Sequence, residues 1–200
     1  MASTVTELLR RRFGGKKGIL PSGYTQLDYI IGNNAVISTG LTSTRPYKYE
    51  CEIMFTSISK RQITGANGGN FFGINNVGKW QNGHASNSSL NVQANANQWY
   101  HVIQYRPASG NQTLSIDGND YNNSQSYVEN NIYIFATEYS NTPSHAMQYG
   151  AMKYFKIWQN DVLVRHYIPC IDPNNVVGMY DIVNGTFKSS ANNKNFIASS

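Results

Sequence analysis

The chain has 200 residues, of which 40% are hydrophobic and only 14% are charged. This length suits one globular domain with a single core, and because an average soluble domain is about 25% charged, neutral polar residues, among them 25 asparagines, must supply most of the solubility. Two cysteines exclude a disulfide framework, and no apolar run approaches the roughly 18 residues that cross a bilayer. We expect a soluble protein that is made in a cytoplasm and has no membrane partner.

The net charge of +5 is concentrated in the first 18 residues. This segment holds five basic side chains and one acidic side chain, whereas the other 182 residues hold eleven basic and ten acidic side chains. A nearly neutral body does not favour nucleic acid as the partner of a folded domain. The three successive arginines at 10–12 could contact phosphates, but no aromatic residues are interleaved with them. We therefore expect the basic segment to dock on another protein.

Residues 4–15 predict a short helix. Thr4 and Glu7 have the spacing of a capping box, and Gly14 is a typical helix stop. About nine helical residues are marginal alone in water, so this helix is expected to order only against a partner. We predict that residues 1–18 form an anchoring arm ahead of a domain at 19–200. The arm residues expected to make the contact are Val5, Leu8, Leu9, Arg10, Arg11, Arg12 and Phe13.

After Gly18 the hydrophobic pattern has a period of two, which is typical of strands. In the clearest run, Tyr47–Phe55, the odd-numbered residues point one way and the even-numbered ones, including Glu50 and Glu52, point to the solvent. Further strands are predicted at 99–105, 114–116, 131–137, 152–159, 162–167, 176–182 and 186–188. Strands spaced by roughly 8–12 residues without a helix between them favour an all-β sandwich or jelly roll.

Turns and loops punctuate this pattern. Asn160-Asp161 and Asn184-Gly185 each predict a hairpin turn. The longest weakly patterned stretches are 75–89 and 139–149, and long irregular loops in a compact domain are often functional. Cys51 and Cys170 both lie in apolar, strand-like contexts, so we expect two small buried side chains, although the sequence leaves a disulfide between them open.

Two stretches of the chain resemble a known group of domains. Residues 20–30 (LPSGYTQLDYI) with 37–40 (ISTG), and residues 152–190, are similar to the opening and the close of concanavalin A-like, laminin-G-like jelly-roll domains of bacteriophage virion proteins and gut bacterial surface proteins. The central segments QWYHV and LSIDG also look like that fold. Members often have an aspartate before the threonine-glycine pair, whereas Ser38 stands here, so calcium binding by a carboxylate is not implied.

The resemblance implies a concanavalin A-like jelly-roll sandwich preceded by a short helical arm. Small phage proteins join such a peptide directly to the jelly roll, which implies a virion component such as a head or tail fibre or a capsid decoration. Its arm would dock on other virion proteins while the sandwich faces outward, and homo-oligomers are common in such displays. The alternative is a free bacterial carbohydrate-binding lectin module.

Catalytic and metal signals are weak in this sequence. Related glucanases carry a Glu-x-Asp-x-x-Glu strand, but here Glu50-Cys51-Glu52 is followed by Phe55 at the position of the second glutamate. The four histidines are scattered without metal-ligand spacing, and Asp117-Gly118 is better explained as a turn than as a calcium loop. We expect no catalytic residue, no metal and no cofactor.

Two loops combine an aromatic residue with amides, which is the mixture that sugar recognition uses. The first contains Trp80, Asn82 and His84, and the second contains Tyr139 and Asn141. These five residues are the predicted glycan-binding set. The alternative interpretation of the first loop is that Trp80 belongs to the core and that the amides only provide solvation.

Overall fold

A computed structural model describes residues 19–58, 61–65, 71–83, 89–124, 127–144 and 146–199. Within these ranges the chain forms only strands, turns and loops, so the all-β prediction is confirmed. The predicted arm helix and all of its docking residues lie outside the described residues, as does His84. No described segment forms a helix with the length and hydropathy needed to cross a membrane.

The strands are numbered in chain order. They are β1 (Thr25–Gln26), β2 (Ile30–Ile31), β3 (Ile37–Thr42), β4 (Tyr47–Phe55), β5 (Arg61–Thr64), β6 (Phe72–Ile74), β7 (Lys79–Asn82), β8 (Ser89–Gln93), β9 (Trp99–Arg106), β10 (Gln112–Ile116), β11 (Asn119–Asn123), β12 (Asn131–Ile134), β13 (Thr137–Tyr139), β14 (Thr142–Ser144), β15 (Gly150–Gln159), β16 (Val162–Ile171), β17 (Val177–Asp181), β18 (Thr186–Lys188) and β19 (Ile197–Ala198).

A large antiparallel sheet has the strand order β11-β10-β9-β4-β15-β16-β17-β18. Its centre is β4, which pairs with β9 on one side and with β15 on the other. The short strands β1 and β2 add to β16 and β15, and β19 pairs with β2. The alternation predicted for β4 is confirmed, because its odd-numbered residues are buried and its even-numbered residues are partly exposed. One face of the sheet therefore contributes to the core.

A second layer packs on that buried face. It contains the four-stranded sheet β5-β6-β7-β8, and backbone hydrogen bonds from Phe135 to Ile63 (2.9 Å) and from Glu138 to Gly65 (2.7 Å) join the β12–β13 segment to β5. Aromatic contacts connect the layers. Trp80 of β7 lies edge-on to Phe55 of β4, with 5.5 Å between ring centroids. The two layers are thus antiparallel sheets packed face to face.

A smaller apolar cluster lies on the other side of the large sheet, at its β16–β18 end. Leu20 packs there with Ile168, Cys170 and Tyr180, and the Tyr24 ring contacts Tyr180 edge-on at 5.1 Å. The segment that leads into β1 therefore covers this end of the sheet. The central strands are left uncovered by it.

The predicted hairpins are confirmed. Asn160 and Asp161 have φ values of 49° and 60° between β15 and β16, which suits the primed turns that match strand twist. The 182–185 turn joins β17 to β18, as the Asn184-Gly185 pair predicts. Both cysteines are buried and free, as expected.

Two other predictions need correction. The single strand expected at 131–137 is interrupted at Phe135, whose φ is 67°. Before this point β12 pairs with β3. The N–H of Phe135 donates to Ile63 of β5 and its carbonyl accepts from Met147, so the chain passes from β3 to β5 at this residue. The stretches at 75–89 and 139–149 are not wholly irregular, since they contain β7 and β14. These short strands form because the strands paired with them supply their backbone hydrogen bonds, which the local residue patterns do not predict.

Candidate functional site

The face of the large sheet that points away from the second layer carries a set of polar and aromatic side chains that contact one another. We call it the open face. Its register is set by β4, where Glu50 lies between Ile103 of β9 and Lys156 of β15. Side chains from four neighbouring strands meet on it: Lys48, Glu50, Glu52, Trp99, His101, Tyr154, Lys156, Trp158 and His166.

Glu50 is the centre of the open face. Its Oε1 accepts hydrogen bonds from Lys156 Nζ at 2.8 Å and from the Tyr154 hydroxyl at 3.2 Å, and His101 Nε2 lies 3.4 Å away. All three contacts converge on one oxygen. The second oxygen, Oε2, has no partner among the described residues and is the natural acceptor for a ligand hydroxyl.

The Glu50 side chain is less exposed than the Lys156 and His101 side chains that contact it. Its side chain is 15% exposed, compared with 25% for Lys156 and 43% for His101. Burial on its own raises the pKa of Glu50, but the hydrogen bond and charge of Lys156, with the bonds from His101 and Tyr154, outweigh burial and lower it. The carboxylate is therefore ionised and faces one ammonium, so the centre of the face carries little net charge.

Two neutral side chains complete this centre. Burial, followed by the charge of Glu50, raises the pKa of Tyr154, which keeps its phenol protonated as a donor. Burial and the Lys156 ammonium lower the pKa of His166 to about 4, against the opposing charges of Asp181 and Glu50. The His166 ring packs edge-on against Tyr154 at 6.2 Å. A neutral imidazole offers both a donor and an acceptor to a hydroxylated ligand.

A tryptophan lies on the open face at each end of β4. Trp158 pairs with Lys48, whose ammonium is 3.8 Å from the indole ring centroid. Trp99 pairs with Met54 and contacts the Lys153 ammonium at 4.5 Å. Both indoles are partly exposed. The two positions are six residues apart on β4, which corresponds to about 20 Å at the rise of an extended strand.

The structure corrects the prediction that Trp80 is an exposed platform for sugar. Its side chain is 0% exposed, and its ring contacts Phe55 at 5.5 Å and Tyr100 at 5.3 Å, both edge-on. Because Phe55 and Tyr100 belong to β4 and β9 of the large sheet, Trp80 points from β7 into the space between the layers. The alternative interpretation, that Trp80 belongs to the core, is the correct one.

Asn82 is also wrongly placed by the glycan prediction, because it is completely buried. Its side-chain oxygen accepts from Gln104 Nε2 at 2.9 Å, and its backbone oxygen accepts from Gln112 Nε2 at 2.8 Å. These bonds join β7 to β9 and β10 across the core. The role of Asn82 is to connect the two layers.

Tyr139 and Asn141 lie at the tip of the β13–β14 hairpin and are exposed, Tyr139 by 58%. Positive φ values at Ser140 and Asn141 form the turn, and the Asn141 N–H donates to the Glu138 carboxylate. These residues remain accessible, but they do not form a joint site with Trp80, which is interior. His84 lies outside the described residues.

The two candidate carboxylates, Glu50 and Glu52, lie on the open face as predicted. Glu52 Oε2 is 2.6 Å from Lys153 Nζ, so each glutamate is bonded to its own lysine. A glycosidase acid needs a carboxyl that holds its proton, which requires a raised pKa, whereas that of Glu50 is lowered. Within the described ranges, no three His, Cys, Asp or Glu side chains converge as metal ligands.

Sequence patterns did not identify the open face as a site. The alternation of β4 placed Glu50 outward, and the run at 152–159 predicted a strand that contains Tyr154, Lys156 and Trp158. Their convergence depends on β4 pairing with β15, about a hundred residues later. The available signal was the charged residues on the outward side of β4 and the alternation of aromatic and charged residues on the outward side of β15.

No protein-family model matches the sequence, and no curated protein matches it significantly. The interpretation of the open face therefore depends on its own side chains.

Proposed function

We propose that this chain is a non-catalytic glycan-binding module with a concanavalin A-like jelly-roll fold, displayed on a bacteriophage particle and anchored there by residues 1–18. The observation that supports ligand binding best is the arrangement of the open face. Glu50 is ionised and largely buried, and its Oε2 has no hydrogen-bond partner among the described residues. It lies between the partly exposed side chains of Trp158 and Trp99. The tryptophans would bind the apolar faces of sugar rings, and Glu50 with its neighbours would bind hydroxyls.

The spacing of these groups favours an extended ligand. The β4 positions that pair with the two tryptophans are about 20 Å apart along the strand, and Glu50 lies between these positions. The lysines that now contact the rings have flexible stems, and exposed cation–π contacts contribute only about 0.5–1 kcal/mol each. A sugar ring can displace them at small cost. Since the central charges of Glu50 and Lys156 balance, a largely neutral oligosaccharide fits best.

Glycan-array binding by the full chain tests this proposal. Trp158→Ala and Glu50→Gln should each lower the affinity for the tightest-binding array glycan by about tenfold or more, which corresponds to the loss of one good contact. Tyr139→Ala is the matched control, because it removes an exposed aromatic residue from a hairpin tip outside the open face. If Tyr139→Ala loses binding and Trp158→Ala does not, the glycan site lies at the β13–β14 hairpin and not on the open face.

The virion part of the proposal rests on the resemblance of 19–190 to phage jelly-roll domains and on the basic, apolar arm. Deletion of residues 1–18 should abolish incorporation into particles while circular dichroism still reports a folded β domain. Incorporation of the truncated chain would refute the anchoring role. The free-lectin alternative predicts a protein that binds glycans tightly and never occurs in particles.

The non-catalytic part has its own experiment. Glu50 is ion-paired with Lys156 and its pKa is lowered, so it does not supply the protonated carboxyl that a leaving group needs. The chain should therefore release no reducing sugar from its array ligand. Release by the wild type that disappears in Glu50→Gln would contradict this.

A further inference from the structure

A cleft of about 580 Å³ lies between the β16–β17 turn and the segment that follows β18. None of the residues of the open face lines it. Its size falls in the range of roughly 300–1,000 Å³ that is typical of small-molecule sites. It is therefore a separate candidate for ligand binding.

One wall of the cleft is a fixed turn. The Asp172 carboxylate accepts the N–H groups of Asn174 at 2.9 Å and Val176 at 2.8 Å, and the Asp172 N–H donates to the Val176 carbonyl at 3.0 Å. These bonds hold Asn175, which lines the cleft, at the tip of the turn. This wall is formed before any ligand binds.

The opposite wall is held against the start of the domain. Asn192 Nδ2 donates to the Asn34 carbonyl at 2.8 Å, and Asn33 Nδ2 donates to the Asn195 carbonyl at 3.0 Å. Phe196 is buried and packs against Phe135, with 5.5 Å between ring centroids. The chain on this side of the cleft is thus anchored on both sides of Lys194.

The lining has a consistent chemistry. Among the described residues that line it, amides and hydroxyls are combined with three apolar side chains, Val176, Val177 and Phe196, and Lys194 is the one charged residue. The side chains of Asn175, Asn193 and Lys194 have no hydrogen-bond or ion-pair partner among the described residues. Amides donate to and accept from hydroxyls, and an uncompensated ammonium favours a carboxylate.

We infer that this cleft is a second ligand site, which takes a carboxylated sugar such as a uronic acid. Lys194 binds the carboxylate, and the asparagine amides bind the ring hydroxyls. The inference does not depend on glycan binding at the open face, where the balanced charges favour a neutral ligand.

The experiment titrates the full chain with glucuronate, glucose and acetate and follows backbone amide resonances. A ligand of this size should bind with a dissociation constant on the order of 1 mM. Glucuronate should shift the resonances of 174–177 and 189–196. Glucose, which has the hydroxyls but no carboxylate, and acetate, which has the carboxylate but no hydroxyls, should each bind several-fold more weakly. Shifts that occur elsewhere, or acetate binding as tightly as glucuronate, would overturn the site.

Matched variants test the assigned residues. Lys194→Gln should weaken glucuronate about tenfold, whereas Lys188→Gln, an equal change of charge outside the cleft lining, should leave it unchanged. Asn193→Gly removes an amide but keeps a residue that tolerates the φ of 55° at this position, and it should also weaken binding. If Lys188→Gln weakens glucuronate binding as much as Lys194→Gln does, the effect comes from net charge alone and the site is refuted. Trp158→Ala should retain glucuronate binding, which separates this result from the open face.

Discussion

Asn82 Oδ1 accepts a hydrogen bond from Gln104 Nε2 at 2.9 Å, and both side chains are completely buried between the two layers. Asn82 belongs to β7 in the second layer and Gln104 to β9 in the large sheet. A relative shift of the layers would leave these amides buried without partners, which costs more than the bond itself contributes. The pair therefore specifies how the layers align.

Asn82→Ala should lower the free energy of unfolding by about 1–3 kcal/mol, because the Gln104 amide then loses its partner inside the core. Urea unfolding measures this loss. Asn111→Ala, at an exposed asparagine, is the control and should change stability by less than about 0.5 kcal/mol.

A double-mutant cycle isolates the Asn82–Gln104 bond. Replacing both residues with leucine should cost less than the sum of the two single replacements, by about 0.5–3 kcal/mol, since contacting residues are not additive. Additive losses would show that the two amides act independently.

The two tryptophans on opposite sides of the large sheet should respond differently to truncation. Trp80→Ala removes a fully buried ring and should destabilise the protein by about 3–5 kcal/mol. Trp158→Ala removes a partly exposed ring and a cation–π contact with Lys48, and the loss of that contact is about 0.5–1 kcal/mol. Urea unfolding of both variants measures the contrast. Equal losses would contradict the placement of Trp158 on the open face.

Local patterns were sufficient for much of the fold. The alternation of Tyr47–Phe55 identified its buried face, and Asn160-Asp161 identified a hairpin, because both signals come from neighbouring residues. The interruption at Phe135 could not be predicted in this way, since it depends on a hydrogen bond to Ile63, 72 residues earlier in the chain.

The candidate site was less predictable than the fold. The polar surroundings of Trp80 in sequence suggested an exposed loop, but its neighbours in space are Phe55 and Tyr100. In the same way, the open face exists only because β4 brings Glu50 beside Lys156, 106 residues away in the chain. Periodicity indicates which side of a strand is buried and does not indicate which strand lies next to it.

The two cysteines should be unreactive in the folded protein. Burial raises the pKa of Cys51, with further increases from Glu50 and Glu52, and burial followed by the charge of Asp172 raises the pKa of Cys170. Few thiolates form near neutral pH, and the thiolate is the reactive species. A thiol-specific chromogenic reagent should therefore react slowly with the native protein and modify two thiols per chain in urea. Rapid modification of either cysteine in the native state would contradict the burial of that residue.

His166 should make the protein less stable as the pH falls from 7 to 5. Its pKa is about 4 in the folded state and 6.5 in its ordinary state, because burial and Lys156 oppose the charged form. Between these values the unfolded chain binds a proton that the folded chain does not, so stability is lost as the pH decreases through this window. The loss at pH 5 is up to about 2 kcal/mol. Glu50 titrates below its ordinary pKa of 4.5 and does not contribute above pH 5.

Urea unfolding of wild type and His166→Gln at pH 7 and pH 5 measures this effect. The wild type should lose more stability than the variant over the interval, because glutamine has no proton to take up. If His166→Gln and the wild type lose equal stability between the two pH values, the neutral, half-buried imidazole beside Tyr154 is the wrong description of this part of the open face.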